Sequence, residues 1–181
     1  AVYAMRTAKS IGLPIAAVFD GKEAAHQEEI RSLSENVKWG TVKRFQKGVP
    51  NGQMRIFGYE WLDGQLTIIP DEAEIIRWMF REYMRGASRI EIGRALNEKG
   101  ILTRQGKLWV DSNVKVVLTN ITYTGNLLFQ KEYTVDPITK KKRKNRGQLP
   151  QFYVENTHEA IIPLEEFQRV QAEFKRRHDL G

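Results

Sequence analysis

Ser88-Arg89-Ile90-Glu91-Ile92-Gly93-Arg94-Ala95-Leu96-Asn97-Glu98-Lys99-Gly100 lies in the middle of the stretch from Pro70 to Phe129 and carries both a helix start and a helix stop. Ser88 and Glu91 form a capping box, in which the serine hydroxyl accepts from the backbone N–H three residues on and Glu91 reaches back to the N–H of Ser88. A helix therefore starts at Ser88. Ile92, Ala95 and Leu96 give it one apolar face, and Gly100 supplies the left-handed residue that closes it. On its N-terminal side, Pro70-Asp71-Glu72 opens a longer helix with acids in the first turn and Ala73, Ile76, Phe80 and Tyr83 on the buried face. On its C-terminal side, beyond the basic loop Arg104-Gln105-Gly106-Lys107, Asp111 is the N-cap candidate of a short third helix. Val114, Val117, Leu118 and Ile121 recur there at i, i+3, i+4 and i+7 as one buried stripe.

The other face of that third helix is different in kind. Ser112, Asn113, Lys115 and Thr119 set short donors and acceptors beside one cation, a combination that suits base edges and phosphates. A solvated face on a surface helix would have the same composition. The adjoining cations Arg104 and Lys107 tilt the reading toward nucleic acid.

Five separated stretches match one family in order. They are Ser34-Glu35-Asn36-Val37-Lys38-Trp39-Gly40, Phe57-Gly58-Tyr59, Pro70-Asp71-Glu72-Ala73-Glu74, Arg94-Ala95-Leu96-Asn97-Glu98-Lys99-Gly100-Ile101 and Asn120-Ile121-Thr122-Tyr123-Thr124-Gly125. Over residues 26–175 the chain resembles the recombinase domain of large serine recombinases, with the first stretch resembling the end of the long helix that joins the catalytic domain to it. The resemblance implies a parent enzyme that cleaves and exchanges duplex DNA at attachment sites through a phosphoserine link, with neither metal nor high-energy cofactor. It also implies a long helix that forms a homodimer and then crosses the DNA.

Composition agrees with such a partner. The chain has 181 residues, 41% of them hydrophobic, enough for one or two globular domains. Lys and Arg number 29 against 22 acids, a net charge of +7, which favours a polyanion. There is no apolar run of about 18 residues and no signal-peptide pattern, so the expectation is a cytoplasmic, DNA-associated protein, bacterial or phage-encoded, with no membrane partner. Zero cysteines exclude disulfides and thiolate metal sites, and His26, His158 and His178 are too scattered to hold zinc. No metal ligand and no cofactor is expected. The family's cysteine-bearing zinc ribbon is accordingly expected to be absent.

Along the chain, Ala1 to Ser10 reads as a short helix ended by Gly12, and Leu13 to Phe19 as a buried strand before Asp20-Gly21. The family's nucleophile lies in a Tyr-x-Arg-x-Ser pattern. Tyr3-Ala4-Met5-Arg6-Thr7-Ala8-Lys9-Ser10 fails its spacing, so the nucleophile is expected to be missing, and no serine is assigned as catalytic. Residues 23–47 read as one helix of roughly 37 Å with an interrupted stripe of Ile30, Leu33, Val37 and Phe45. Its acids (Glu23, Glu28, Glu29, Glu35) precede its bases (Lys38, Lys43, Arg44, Lys47), which matches the helix dipole as well as the two jobs the family gives this element. Gly48, Pro50, Asn51 and Gly52 then make a linker over 48–56, and Lys43, Arg44, Lys47 and Arg55 equip it to track a groove.

Phe57, Tyr59 and Trp61, then Asp63-Gly64, then Leu66 and Ile68 predict a β-hairpin whose aromatics cover the core. Arg77, Arg81 and Arg85 read as a salt-bridged surface with Glu74 and Glu82. Leu127 to Val135 reads as a strand turned by Asp136-Pro137. Lys140, Lys141, Lys142, Arg143, Lys144 and Arg146 follow as a mobile basic hairpin tip aimed at phosphates. Gln151 to Val154 is the next strand, and Pro163 starts a helix with Phe167, Val170 and Phe174 on one face. Its Lys175-Arg176-Arg177-His178 end complements its own dipole.

The expected fold is α+β and mainly helical: a long N-terminal helix joined by a linker to a trihelical DNA-binding domain with small β-hairpins and a C-terminal helix. Its parts are residues 1–47, 48–56 and 57–178. The function expected is binding of attachment-site half-sites in double-stranded DNA within a serine recombinase. A dimeric transcription regulator and an interaction domain for acidic protein are the alternatives. One departure stands out: the spacer from Gly100 to Val110 exceeds the short turn of an ordinary helix-turn-helix.

Overall fold

The computed structural model describes residues 15–50, 52–136 and 138–180, and the helix expected over Ala1–Ser10 lies outside them. The fold is α+β. In chain order the elements are α1 (Ile15–Gln46), β1 (Tyr59–Leu62), β2 (Gln65–Ile68), α2 (Pro70–Met84), α3 (Arg89–Glu98), α4 (Asp111–Leu118), a 3-10 turn (Ile121–Thr124), β3 (Leu127–Phe129), β4 (Glu132–Asp136), β5 (Lys141–Lys144), β6 (Phe152–Val154) and α5 (Leu164–Leu180). The strands form three antiparallel pairs, β1–β2, β3–β6 and β4–β5. The described residues divide into two compact units: one takes those up to Arg44 together with those of Lys131–Leu149, the other those of Phe45–Gln130 together with those from Pro150 on.

The second unit holds the core. Its β-hairpin runs in register from Tyr59↔Ile68 to Leu62↔Gln65. Asp63 and Gly64 close it with φ of 46° and 82°, the paired left-handed conformations that a two-residue turn matching strand twist requires. Tyr59 is fully buried and its hydroxyl donates to the carbonyl of Glu159 at 2.8 Å. α2 buries Ala73, Ile76, Met79, Phe80 and Tyr83, while Glu74 and Glu82 pair with Arg77 and Arg85 on its surface as the spacing predicts. Glu72 accepts from the N–H of Gly58 at 2.6 Å, tying the first turn of α2 to the hairpin. The capping box at Ser88 is present in both directions. β3 pairs with β6, and Phe45 stacks on Phe129 with ring centroids 4.8 Å apart.

α5 buries Phe167 and Val170 and stacks Phe174 on Tyr83 at 4.6 Å. Arg177 and His178 lie in its last turn as expected, and one of them does more than complement the dipole. Arg177 serves another helix: it donates to the carbonyls of Tyr83 at 2.7 Å and Ala87 at 2.9 Å, and its guanidinium lies 4.1 Å from the Tyr83 ring centre. The Tyr83 carbonyl lies in the last turn of α2, where the helix supplies no donor four residues on, and Ala87 follows the helix end; a planar donor fork meets both at once.

The helix α1, all but its last two residues in the first unit, is a single helix of 32 residues. The strand expected over Leu13–Phe19 is helical from Ile15 onward. An isolated strand leaves its backbone groups unpaired, whereas a helix satisfies them internally, and Ala16, Ala17, Ala24 and Ala25 are strong helix formers. The single strand expected over Leu127–Val135 is two, β3 and β4, broken at Gln130, where φ is 61°. The two pieces pair with different partners.

Most of the basic run is strand rather than hairpin tip: Lys141–Lys144 form β5, and Lys140 stands in the turn. β5 pairs with β4 through Glu132↔Lys144, Tyr133↔Arg143 and Thr134↔Lys142. Successive side chains of a strand point to opposite faces, so neighbouring cations are separated, and Glu132 stands across from Lys144. Asp136 at the end of β4 holds that turn, its carboxylate accepting from the N–H groups of Ile138 and Thr139 and from the Thr139 hydroxyl. Buried Asn145 then organises the following loop, accepting from Gly147 and Leu149 and donating to the carbonyl of Leu149.

Candidate nucleic-acid interface

The long spacer before α4 is pinned at one residue. Trp109 is buried, its ring set edge-on to Phe57 at 5.2 Å and 88°. Asn97 on α3 clasps its backbone, accepting from the Trp109 N–H at 2.8 Å and donating to the Trp109 carbonyl at 2.9 Å. Gly93 lies against the same backbone, where a Cβ would come 3.4 Å from the Trp109 carbonyl oxygen, close to ordinary contact. The basic loop is closed on itself as well, by Gly106 donating to the Thr103 carbonyl and Thr103 donating to the Lys107 carbonyl, each at 2.8 Å. The spacer is thus a built element that fixes where α4 begins.

Asp111 does not cap α4. The N-cap is Val110, with no side-chain cap bond, and Asp111 is the first helical residue. Its carboxylate meets the Arg89 Nε at 2.8 Å, an ion pair between α4 and α3. An aspartate in the first turn still complements the dipole, and a cation across the groove draws it away from the backbone. α4 buries Val114, Val117 and Leu118 as expected, and Ile121 begins the 3-10 turn.

On the outward side of α4, Ser112, Lys115 and Thr119 are exposed and Asn113 is half-buried. Thr119 donates to the carbonyl of Lys115 at 2.8 Å, which leaves its oxygen as an acceptor, and Ser112 donates to the Asn113 amide oxygen at 3.3 Å. Val116 projects from the same side, 65% exposed, and the sequence reading passed over it. Its signal was available: it falls four residues after Ser112 and three before Thr119.

The two loop cations part company. Both are exposed, but Arg104 contacts both carboxylate oxygens of Glu72, at 3.0 and 3.2 Å, and anchors the loop to α2. Arg55 and Lys47 are exposed in the second unit. In the first unit Lys43 lies 3.8 Å from the Trp39 ring centre, and Arg44 donates to the Thr41 hydroxyl at 3.2 Å. Lys140, Lys141, Lys142, Arg143, Lys144 and Arg146 are exposed along the β4–β5 hairpin and its loops. At the start of α3 the Ser88 N–H holds the Glu91 carboxyl below the usual carboxylate range. Among the described residues no cluster of three or more His, Cys, Asp or Glu could hold a metal, and no helix is long and apolar enough to cross a membrane.

Known proteins resemble this arrangement. The family model described as Recombinase matches residues 70–177. A solved structure of an LSR–DNA complex superposes with a TM-score of 0.56 at 25% identity, over 78% of this chain and 38% of that one. A structure concerned with the sequence requirements of the Listeria innocua prophage attP site gives the same TM-score and identity, over 78% of this chain and 52% of that one. An uncharacterized protein of Bacillus subtilis (strain 168), YefB, is 40% identical over 63 residues, which are 35% of this chain and 21% of that protein. The chain therefore spans about a fifth of the curated relative it matches and about two-fifths to half of the structures.

Proposed function

This chain belongs to the Recombinase family, and on that premise we propose that it binds double-stranded DNA, reading attachment half-sites as part of a serine-type site-specific recombinase. The observation that carries the reading is the outward face of α4. Exposed Ser112, Lys115 and Thr119 and half-buried Asn113 stand on a helix whose start is set by Asn97 and Trp109 and whose first turn is held by Arg89. Such a face, rigid and polar, supplies direct readout in a major groove, and its lysine supplies a phosphate contact. Lys43, Arg44, Lys47 and Arg55 are assigned to groove tracking before it. Lys107 and the cations from Lys140 to Arg146 are assigned to phosphates, with Arg104 positioning the loop through Glu72.

A homodimer through α1 belongs to the same reading. Leu33 and Val37, four residues apart on one side of α1, are 59% and 67% exposed, an apolar pair that favours a partner helix. No serine of this chain is assigned a catalytic role. The function proposed for it is recognition, and strand exchange belongs to the parent enzyme.

The test is selection of duplexes from a random pool by this chain, followed by affinity of the enriched duplex at two salt concentrations. The expected outcome is one enriched sequence of roughly one to two helical turns, bound well above the pool. Lys115→Ala should weaken all duplexes alike and lower the salt slope by about one. Asn113→Ala should cost roughly 1–3 kcal/mol on the enriched sequence alone. Salt-sensitive binding without enrichment would move specificity elsewhere, and no binding would remove the proposal.

A further inference from the structure

Among the described residues of the second unit, no large apolar side chain is more exposed than Val116, at 65%. Ser112, Val116 and Thr119 follow at i, i+4 and i+7 and so form one stripe of α4, with Asn113 three residues before the valine and Lys115 on its flank. The valine therefore occupies the centre of the face and polar groups its rim. The core is filled from the opposite side by Val114, Val117 and Leu118. At an exposed helix position a β-branched residue is a poorer helix former than alanine, and it holds one strongly preferred rotamer. Val116 thus presents a short, stiff apolar contact amid hydrogen-bonding groups.

Base edges in the major groove offer one apolar group, the C5 methyl of thymine. The adenine opposite or beside it presents N6 and N7, the pair of groups an asparagine amide matches in bidentate fashion. We infer that Val116 packs on a thymine methyl and makes α4 demand thymine at one position of its site, with Asn113 taking an adenine of that base pair or the next. This rests on the DNA-binding reading of α4 and takes it further, from a surface that meets DNA to one that requires a methyl group at a defined base.

The probe is the duplex enriched by the full chain from a random pool, remade with each thymine in turn replaced by deoxyuridine, which keeps the Watson–Crick edge and removes only the methyl. Wild-type chain should lose about fourfold in affinity at one thymine, the worth of one buried methyl-sized group. Val116→Ala, at an exposed position where alanine favours the helix, should fold as wild type, lose about the same factor on the thymine duplex and lose nothing further on the uracil duplex. Lys115→Ala separates the role of Val116 from the placement of α4. If it lowers the salt slope by about one while no uracil replacement changes affinity, α4 is on DNA and the role of Val116 is overturned. Additive losses from Val116→Ala and the uracil duplex also overturn it. If Lys115→Ala leaves the slope unchanged, the reading of α4 itself fails and takes Val116 with it.

Discussion

At Gly125 two constraints meet on one atom. Its φ is +79°, and a Cβ there would stand 2.8 Å from the carbonyl oxygen of His158. Gly125→Ala is expected to lower stability by about 2 kcal/mol or more, read from denaturant unfolding, because neither the left-handed conformation nor the backbone contact can relax. His158 sits in the same corner, its Nε2 2.7 Å from the Thr122 carbonyl, its Nδ1 2.8 Å from the Thr157 hydroxyl and its ring edge-on to Tyr59 at 4.9 Å. Burial pushes its pKa below the ordinary 6.5. With a native pKa below the unfolded one, the unfolded chain binds the proton more readily. The stabilisation from neutral His158 is therefore complete above about pH 6.5 and is lost as pH falls through the native pKa. His158→Gln should flatten that part of a stability-against-pH profile. The sequence marks both residues as special types and says nothing of their meeting.

The elements differ in how much of them local chemistry specifies. Ser88 caps α3 from four residues away or less, so its capping box is written in the chain itself, and Ser88→Ala should cost about 1 kcal/mol. Asn97 acts across elements: Asn97→Ala removes both bonds to the Trp109 backbone and should cost roughly 1–3 kcal/mol. It should also blunt discrimination among duplexes more than Ser88→Ala does, since Trp109 sets where α4 starts; parallel unfolding and binding curves for the two variants check this. The β4–β5 hairpin carries the densest charge. Replacing Lys141, Lys142, Arg143 and Lys144 with glutamine should lower the slope of log affinity against log salt by about 0.9 for each phosphate that is no longer neutralised. An unchanged slope would take the hairpin off the interface. Its strand character escaped a sequence reading because seven consecutive residues with six cations look repulsive until alternate side chains are dealt to two faces.

For the molecule as a whole, a net charge of +7 would make affinity for a polyanion salt-dependent, and the proposed homodimer puts exposed Leu33 and Val37 of α1 at its seam. Leu33→Asp with Val37→Asp replaces two exposed side chains and should leave each folded chain intact while shifting sedimentation from dimer to monomer at concentrations where wild type pairs. A wild type that sediments as a monomer throughout would remove the dimer from the proposed function. The amino acids alone were enough for the hairpin at Asp63-Gly64, the capping box, the buried stripes of α2 and α4, the Glu–Arg pairs on α2 and the strand near Phe152, because those signals act between residues at most four apart or follow the period of a helix or a strand. Folding in three dimensions settled the rest: that Asp111 binds Arg89 and leaves the α4 backbone uncapped, that Arg104 reaches Glu72 from 32 residues away, and that Arg177 closes α2 from 94 residues away. It also settled that Gln130 ends one strand pairing and Lys131 leads into another. A charge or a backbone carbonyl takes the partner that tertiary contact brings within about 3 Å, and no local pattern encodes which partner that is.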